Sequence, residues 1–90
     1  MAIIVKRRGK KEKFDEKKLY ASVYSACMEC DIEVRKAEKV AEETILEVRK
    51  FLHGRKSINS TELFGFVIQK LARHHEAVAF MYETHREIAV

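Results

Sequence analysis

From Ala37 to Leu52 the apolar residues fall at Ala37, Val40, Ala41, Ile45, Val48, Phe51 and Leu52, three or four apart, with Lys, Arg and Glu between them. An α-helix brings positions with that spacing onto one face, so the chain must contain a long helix that buries one stripe. Gly54 follows, in the position just past a helix end that glycine commonly takes. The 90 residues include no proline and only three glycines, Gly9, Gly54 and Gly65. Long helices are therefore permitted throughout, and Gly9 and Gly54 are the natural turn points.

Other elements arrange themselves around that helix. Residues 2–6 are largely β-branched and apolar. They lead through a turn at Gly9 into a second short strand, Glu12-Lys13-Phe14. Asp15 suits an N-cap, with Glu16 in the first turn, and Leu19, Val23, Ala26, Cys27 and Cys30 continue at helical spacing. Asp31 is expected to cap the long helix, with Glu33 in its first turn. The short segment Arg55–Asn59 could add a third strand to the hairpin. Asn59, Ser60 or Thr61 then caps a helix carrying Leu63, Val67, Ile68 and Leu71. His74-His75 form a junction, and a last helix from about Glu76 turns Val78, Met81, Tyr82 and Ile88 inward. Phe64, Phe66 and Phe80 are read as core residues, some of them available to a dimer surface. The expected fold is mainly α (α+β). A four-helix domain, residues 1–90, carries a small N-terminal β-hairpin or three-stranded β cap.

An apolar fraction of 47% is enough for one core, and 36% charged residues suit a soluble, helix-rich surface. No apolar run approaches the roughly 18–20 residues that span a bilayer. The stretch Met1–Val5 is too short for a signal-peptide core and precedes the basic run instead of following it. Two cysteines make no disulfide framework and suit a reducing compartment, so a cytoplasmic location without membrane association is expected.

Charge is the unevenly distributed property. Residues 6–18 hold eight of the 18 basic residues and three of the 14 acidic ones, leaving ten basic and eleven acidic for the remainder. The whole formal charge of +4 therefore comes from one short segment that also contains a glycine turn and a helix start. Lys6 and Arg7 precede the turn, Lys18 lies one turn into the helix opened by Asp15, and Ile4, Phe14 and Leu19 could line an apolar slot beside them. From residue types alone three readings stay open: a solvated edge hairpin whose lysines block aggregation, a nucleotide phosphate site, and a nucleic-acid contact patch.

The run Ile4-Val5-Lys6-Arg7-Arg8-Gly9-Lys10-Lys11-Glu12-Lys13-Phe14-Asp15-Glu16-Lys17-Lys18-Leu19 resembles the start of the ATP-cone domain. That family's pattern is an apolar strand, Lys-Arg, any residue, Gly, two residues, Glu, any residue, an apolar residue, Asp or Asn, two residues, Lys and an aliphatic. Each position is filled here, and the resemblance extends through Ser57–Leu63 to the closing Tyr82–Ile88. ATP-cones stand at the front of ribonucleotide reductase large subunits and in the repressor of those operons.

The resemblance implies a regulatory module that binds ATP or dATP reversibly, with or without magnesium, and performs no catalysis. Lys6, Arg7, Lys18 and Arg86 would meet phosphates. Glu12 and Asp15 would approach the polar edge of the base, Ile4, Phe14 and Leu19 would wall the adenine, and Ser60 would lie near the sugar. Occupancy would shift association, as a homodimer or higher oligomer or with a catalytic or regulatory protein partner. The chain reads as a free-standing cone, without the zinc ribbon that precedes the cone in the repressors. Two positions depart from the pattern. Phe64 stands where some reductase cones have a histidine near the ligand, and Arg8 takes a place that is often acidic. The alternative function is a small basic nucleic-acid-binding or transcription-regulatory protein using the same hairpin.

Other chemistry-bearing residues are weaker candidates. Cys27-Met28-Glu29-Cys30 is a C-x-x-C near a helix end with no second pair, which fits structural thiols better than zinc or redox chemistry. His74 and His75 are adjacent and point about 100° apart on a helix, so they do not share a metal-binding face. Neither a metal site nor a catalytic constellation is expected, and Glu42-Glu43 fall on the solvated side of the long helix.

Overall fold

A computed structural model describes the backbone of residues 2–88 and the side chains of 2–6 and 8–84. The order is β1 (Ile3–Val5), β2 (Lys11–Lys13), α1 (Glu16–Glu29), α2 (Val34–Leu52), β3 (Ser57–Asn59), α3 (Ser60–His74) and α4 (Glu76–Ile88). The fold is thus the expected four helices with a three-stranded cap. β1 is the central strand. It pairs antiparallel with β2, setting Ile3, Ile4 and Val5 opposite Lys13, Glu12 and Lys11. It pairs parallel with β3, setting the same residues opposite Ser57, Ile58 and Asn59. A parallel partner needs a long crossover, and α1 and α2 supply it.

The hairpin loop is Arg7-Arg8-Gly9. Lys6 N–H donates to Lys10 O at 2.7 Å and Gly9 N–H to Lys6 O at 3.1 Å. Gly9 takes φ 76°, and Arg8 takes φ 68°, a left-handed conformation that costs a residue with a Cβ. The closing Lys6–Lys10 pair starts β2 at Lys11, one residue ahead of the expected Glu12. Phe14 N–H still donates to Ala2 O at 3.2 Å.

Asp15 caps α1, its Oδ1 accepting from Lys17 N–H at 3.0 Å and Lys18 N–H at 3.2 Å. Asp31 does not cap α2. It lies just past the end of α1 at φ 58°, its N–H donating to Met28 O while Ile32 N–H donates to Cys27 O, both at 3.1 Å. This closure needs a left-handed residue, and aspartate tolerates that conformation better than most. Glu33 precedes α2 without a side-chain cap. Gly54 ends the run after α2 at φ 80°, as its spacing predicts. Asn59 is the cap of α3, its Oδ1 accepting from Thr61 N–H at 2.7 Å.

The core is where the helical stripes meet. Leu19, Val23, Ala26 and Cys27 of α1 pack with Ala37, Val40, Ala41, Ile45, Val48 and Leu52 of α2, Val67 and Leu71 of α3, and Val78, Ala79 and Tyr82 of α4. Ile4 and Ile58 close the sheet side. Thr44, an unexpected hydroxyl in this core, donates to Val40 O at 2.8 Å, and among the described residues no buried side-chain nitrogen or oxygen lacks a hydrogen-bond partner. Phe80 is not a core residue. It is 69% exposed, because two residues of helix turn it about 200° from buried Val78. Phe64 is half-buried with its ring 5.6 Å from that of Tyr82, and Phe66 stacks on Phe51 at 4.0 Å. The side chain of Ile88 lies outside the described residues.

Candidate functional site

Strand alternation sorts the hairpin into two faces. Ile4 and Ile58 are buried, so Glu12, paired with Ile4, projects to the helix side of the sheet, and Lys6 follows two residues after Ile4. Their side chains meet there, with Lys6 Nζ 2.9 Å from Glu12 Oε1 and both roughly half exposed. The hydrogen bond from Lys6 holds the Glu12 carboxyl below the usual carboxylate range, with the nearby charges of Lys18 and Lys10 acting in the same direction. The fold thus gathers Lys6 from the end of β1, Glu12 from β2 and Lys18 from the start of α1.

Asp15 lies between these elements, with both cap bonds on Oδ1. Ile4 and Leu19 are buried at 6% and 7% exposure, so they belong to the core beneath the cluster, while Phe14 is half-buried against it. Ser60 is the first residue of α3 and half-buried. The parallel register pairs Val5 with Asn59, so Ser60 and the N-terminal end of α3 stand at the same end of the sheet as Lys6. The side chains of Arg7 and Arg86 lie outside the described residues.

Chemically the cluster is a partly compensated patch of positive charge. One lysine is held by a glutamate, a second lysine stands in the same field, and the amino end of α3 carries the partial positive charge of its peptide dipoles.

A larger concavity, an open cleft of about 490 Å³, runs between α1 and α2 beside Glu16, Lys17, Tyr20, Glu42, Leu46 and Arg49. It is electrically mixed, and its arginine is committed. Arg49 Nε and Nη2 donate to the two Glu16 oxygens at 2.5 and 2.7 Å, holding that carboxyl below its usual range. Burial, then Glu38 and Glu42, push the Tyr20 phenol up. The cleft's charges balance, whereas the Lys6–Glu12 pair has the further positive charge of Lys18 beside it. The Glu16–Arg49 bond joins α1 to α2 across 33 residues of sequence, and no local pattern signals it. The Tyr20–Tyr24 stack, 6.4 Å between centroids, could be read from their four-residue spacing.

Cys27 is buried, and that burial, with Cys30 adding, raises its thiol, the reverse of activation. Among the described residues no three His, Cys, Asp or Glu side chains come together in a way that could hold a metal ion. No described helix is long and apolar enough to cross a membrane.

Comparison with known proteins converges on one family. The family described as ATP cone domain matches residues 2–88. A protein named transcriptional repressor NrdR from Thermosipho melanesiensis is 30% identical over 89 residues, covering 94% of this chain and 58% of that protein. Its namesake from Dictyoglomus thermophilum is 33% identical over 79 residues, 88% of this chain and 51% of that protein. The one from Thermosynechococcus vestitus is 32% identical over 78 residues, 87% and 46% respectively. The chain spans about half the length of these curated relatives.

Proposed function

The chain belongs to the ATP-cone family, and on that footing we propose that its hairpin site takes up ATP or dATP as a regulatory signal without transforming it. ATP-cone domains bind these nucleotides as regulators. The observation that carries the reading is the meeting of Lys6, Glu12 and Lys18 at the base of the hairpin, within a chain matched by the family from residue 2 to residue 88.

In this reading Lys6, Arg7, Lys18 and Arg86 hold the phosphates, with magnesium riding on the nucleotide where it is present. Glu12, released by Lys6, and Asp15 read the polar edge of the base. Phe14, backed by Ile4 and Leu19, walls the adenine, and Ser60 approaches the sugar. The relatives are named as transcriptional repressors. By extension, this chain is the nucleotide-sensing part of a regulator in the cytoplasm. Its occupancy biases association with itself, as a dimer or larger oligomer, or with a catalytic or regulatory partner. Such a bias requires that the nucleotide bind the associated and free states with different affinity.

Isothermal titration with ATP, dATP, GTP and CTP tests the proposal. Binding of the adenine nucleotides in preference to GTP and CTP is expected. No binding at millimolar ligand, or no adenine preference, overturns it.

A further inference from the structure

The hairpin has a second charged surface, which the nucleotide site leaves unused. On the side of the sheet facing away from Ile4 and Ile58 lie Ile3 and Val5 of the central strand, with Lys13 and Lys11 directly opposite them on β2. All three residues of β2 are exposed, as are Arg8 and Lys10 at the tip. Ile3 and Val5 are only half-buried, and the aliphatic stems of the two lysines are the groups nearest across the pleat to shield them. Lys6 on the inner side is neutralised by Glu12. Among the described residues, by contrast, Arg8, Lys11 and Lys13 form no ion pair.

Arg8 adds an independent sign. It holds φ 68°, where asparagine or glycine would be less strained, so the loop carries a long cation at a conformational cost. Lys11 and Lys13 project from alternate positions about 7 Å apart. Three uncompensated cations on an exposed strand and its tip suit an extended polyanion better than a small ligand. The outward positions of the sheet, Ile3, Val5, Lys11, Lys13, Ser57 and Asn59, include no aromatic ring on which unpaired bases could stack. This favours a duplex, whose bases are already stacked and whose phosphates present about one charge per 1.7 Å of axis.

We infer that the outer face of the β1–β2 hairpin, through Arg8, Lys11 and Lys13, is a contact surface for the phosphate backbone of a nucleic-acid duplex, read without regard to base sequence. The surface is separate from the Lys6–Glu12–Lys18 cluster and does not depend on what that cluster binds.

The test is fluorescence anisotropy with a labelled DNA duplex of roughly 20 base pairs, titrated across about 50 to 200 mM salt; with three phosphate contacts, affinity should fall roughly 40-fold over that range. The variant R8N/K11Q/K13Q should bind at least about tenfold more weakly while its ATP titration is unchanged. Asparagine at position 8 suits the left-handed loop, and circular dichroism and sedimentation check that the variant is folded and monodisperse. A matched variant, R35Q/K36Q/K39Q, removes the same charge from exposed positions on α2 and should leave duplex affinity within about twofold. Equal losses in the two variants would reduce the effect to bulk charge and overturn the inference. Unchanged binding by R8N/K11Q/K13Q would overturn it in favour of lysines that merely guard an edge strand. Tighter binding to single strands or to anionic vesicles than to the duplex would also overturn it.

Discussion

The helical body and the hairpin of this small protein are held by different physics. In the body, Val23, Val48, Val67, Leu71 and Val78 are essentially inaccessible to water, drawn from all four helices into one apolar cluster. In the hairpin, every residue of β2 is exposed. Its order comes from strand pairing, the Lys6–Lys10 closure, the Asp15 cap and the Lys6–Glu12 ion pair. Apolar burial offers a ligand nothing to exchange. A half-exposed ion pair contributes little net stability, so an incoming phosphate can replace one partner at small cost. The contrast favours the hairpin over the body as the place for the proposed nucleotide site: its bonds can be redistributed while the body stays folded.

The largest test attacks the body. Leu71→Ala, at a fully buried position on α3, should cost about 2–5 kcal/mol of unfolding free energy by thermal or urea denaturation, while folded protein keeps its nucleotide affinity. A loss of affinity at equal folded fraction would break the separation of the two regions. Next comes the converse. Lys6→Ala with Arg7→Ala should weaken ATP binding by at least tenfold, about 1.4 kcal/mol or more, with helical content by circular dichroism unchanged.

Asp15→Ala lies between the regions, since it opens α1 beside the hairpin. Its expected cost is about 1 kcal/mol of stability from the lost cap. Any larger fall in nucleotide affinity, by titration calorimetry, would mark a second role at the base. Glu12→Gln sharpens the competition on the inner face. With Lys6 no longer held, inorganic triphosphate should bind more tightly while discrimination between ATP and GTP narrows.

The smallest effect concerns Glu16. Its carboxyl is lowered in the fold by Arg49, so the unfolded chain binds the proton more readily. That contribution is present above the ordinary glutamate value of 4.5 and fades as pH drops below it. Acid titrations of wild type and Glu16→Gln should therefore diverge above about pH 4.5 and converge beneath it.

Much of this was legible in the chain because it depends on local periodicity. The α2 stripe, the Asp15 cap, the left-handed Gly54 and the junction before Glu76 follow from spacing and backbone preference. Asp31 was misread because aspartate serves equally before a helix and, in the left-handed conformation, after one. Phe80 was misread because an aromatic side chain looks like core until the helix is rotated against its neighbours. Thr44 gives no sign in the sequence of being buried, because its hydroxyl is satisfied by its own helix. For the candidate site, residue types and their order were readable, but not the pairing of Lys6 with Glu12, which depends on hairpin register.

By itself, the sequence determined four amphipathic helices, a charged hairpin closed at Gly9 and the concentration of positive charge on that hairpin, since each is a property of near neighbours along the chain. Only the tertiary structure decided which hairpin cations are compensated and which are not. Strand register sends alternate side chains to opposite faces, and the burial of Ile4 against Ile58 decides which face is inward. Lys6 and Glu12 therefore meet on one side, while Lys11 and Lys13 are left facing solvent on the other.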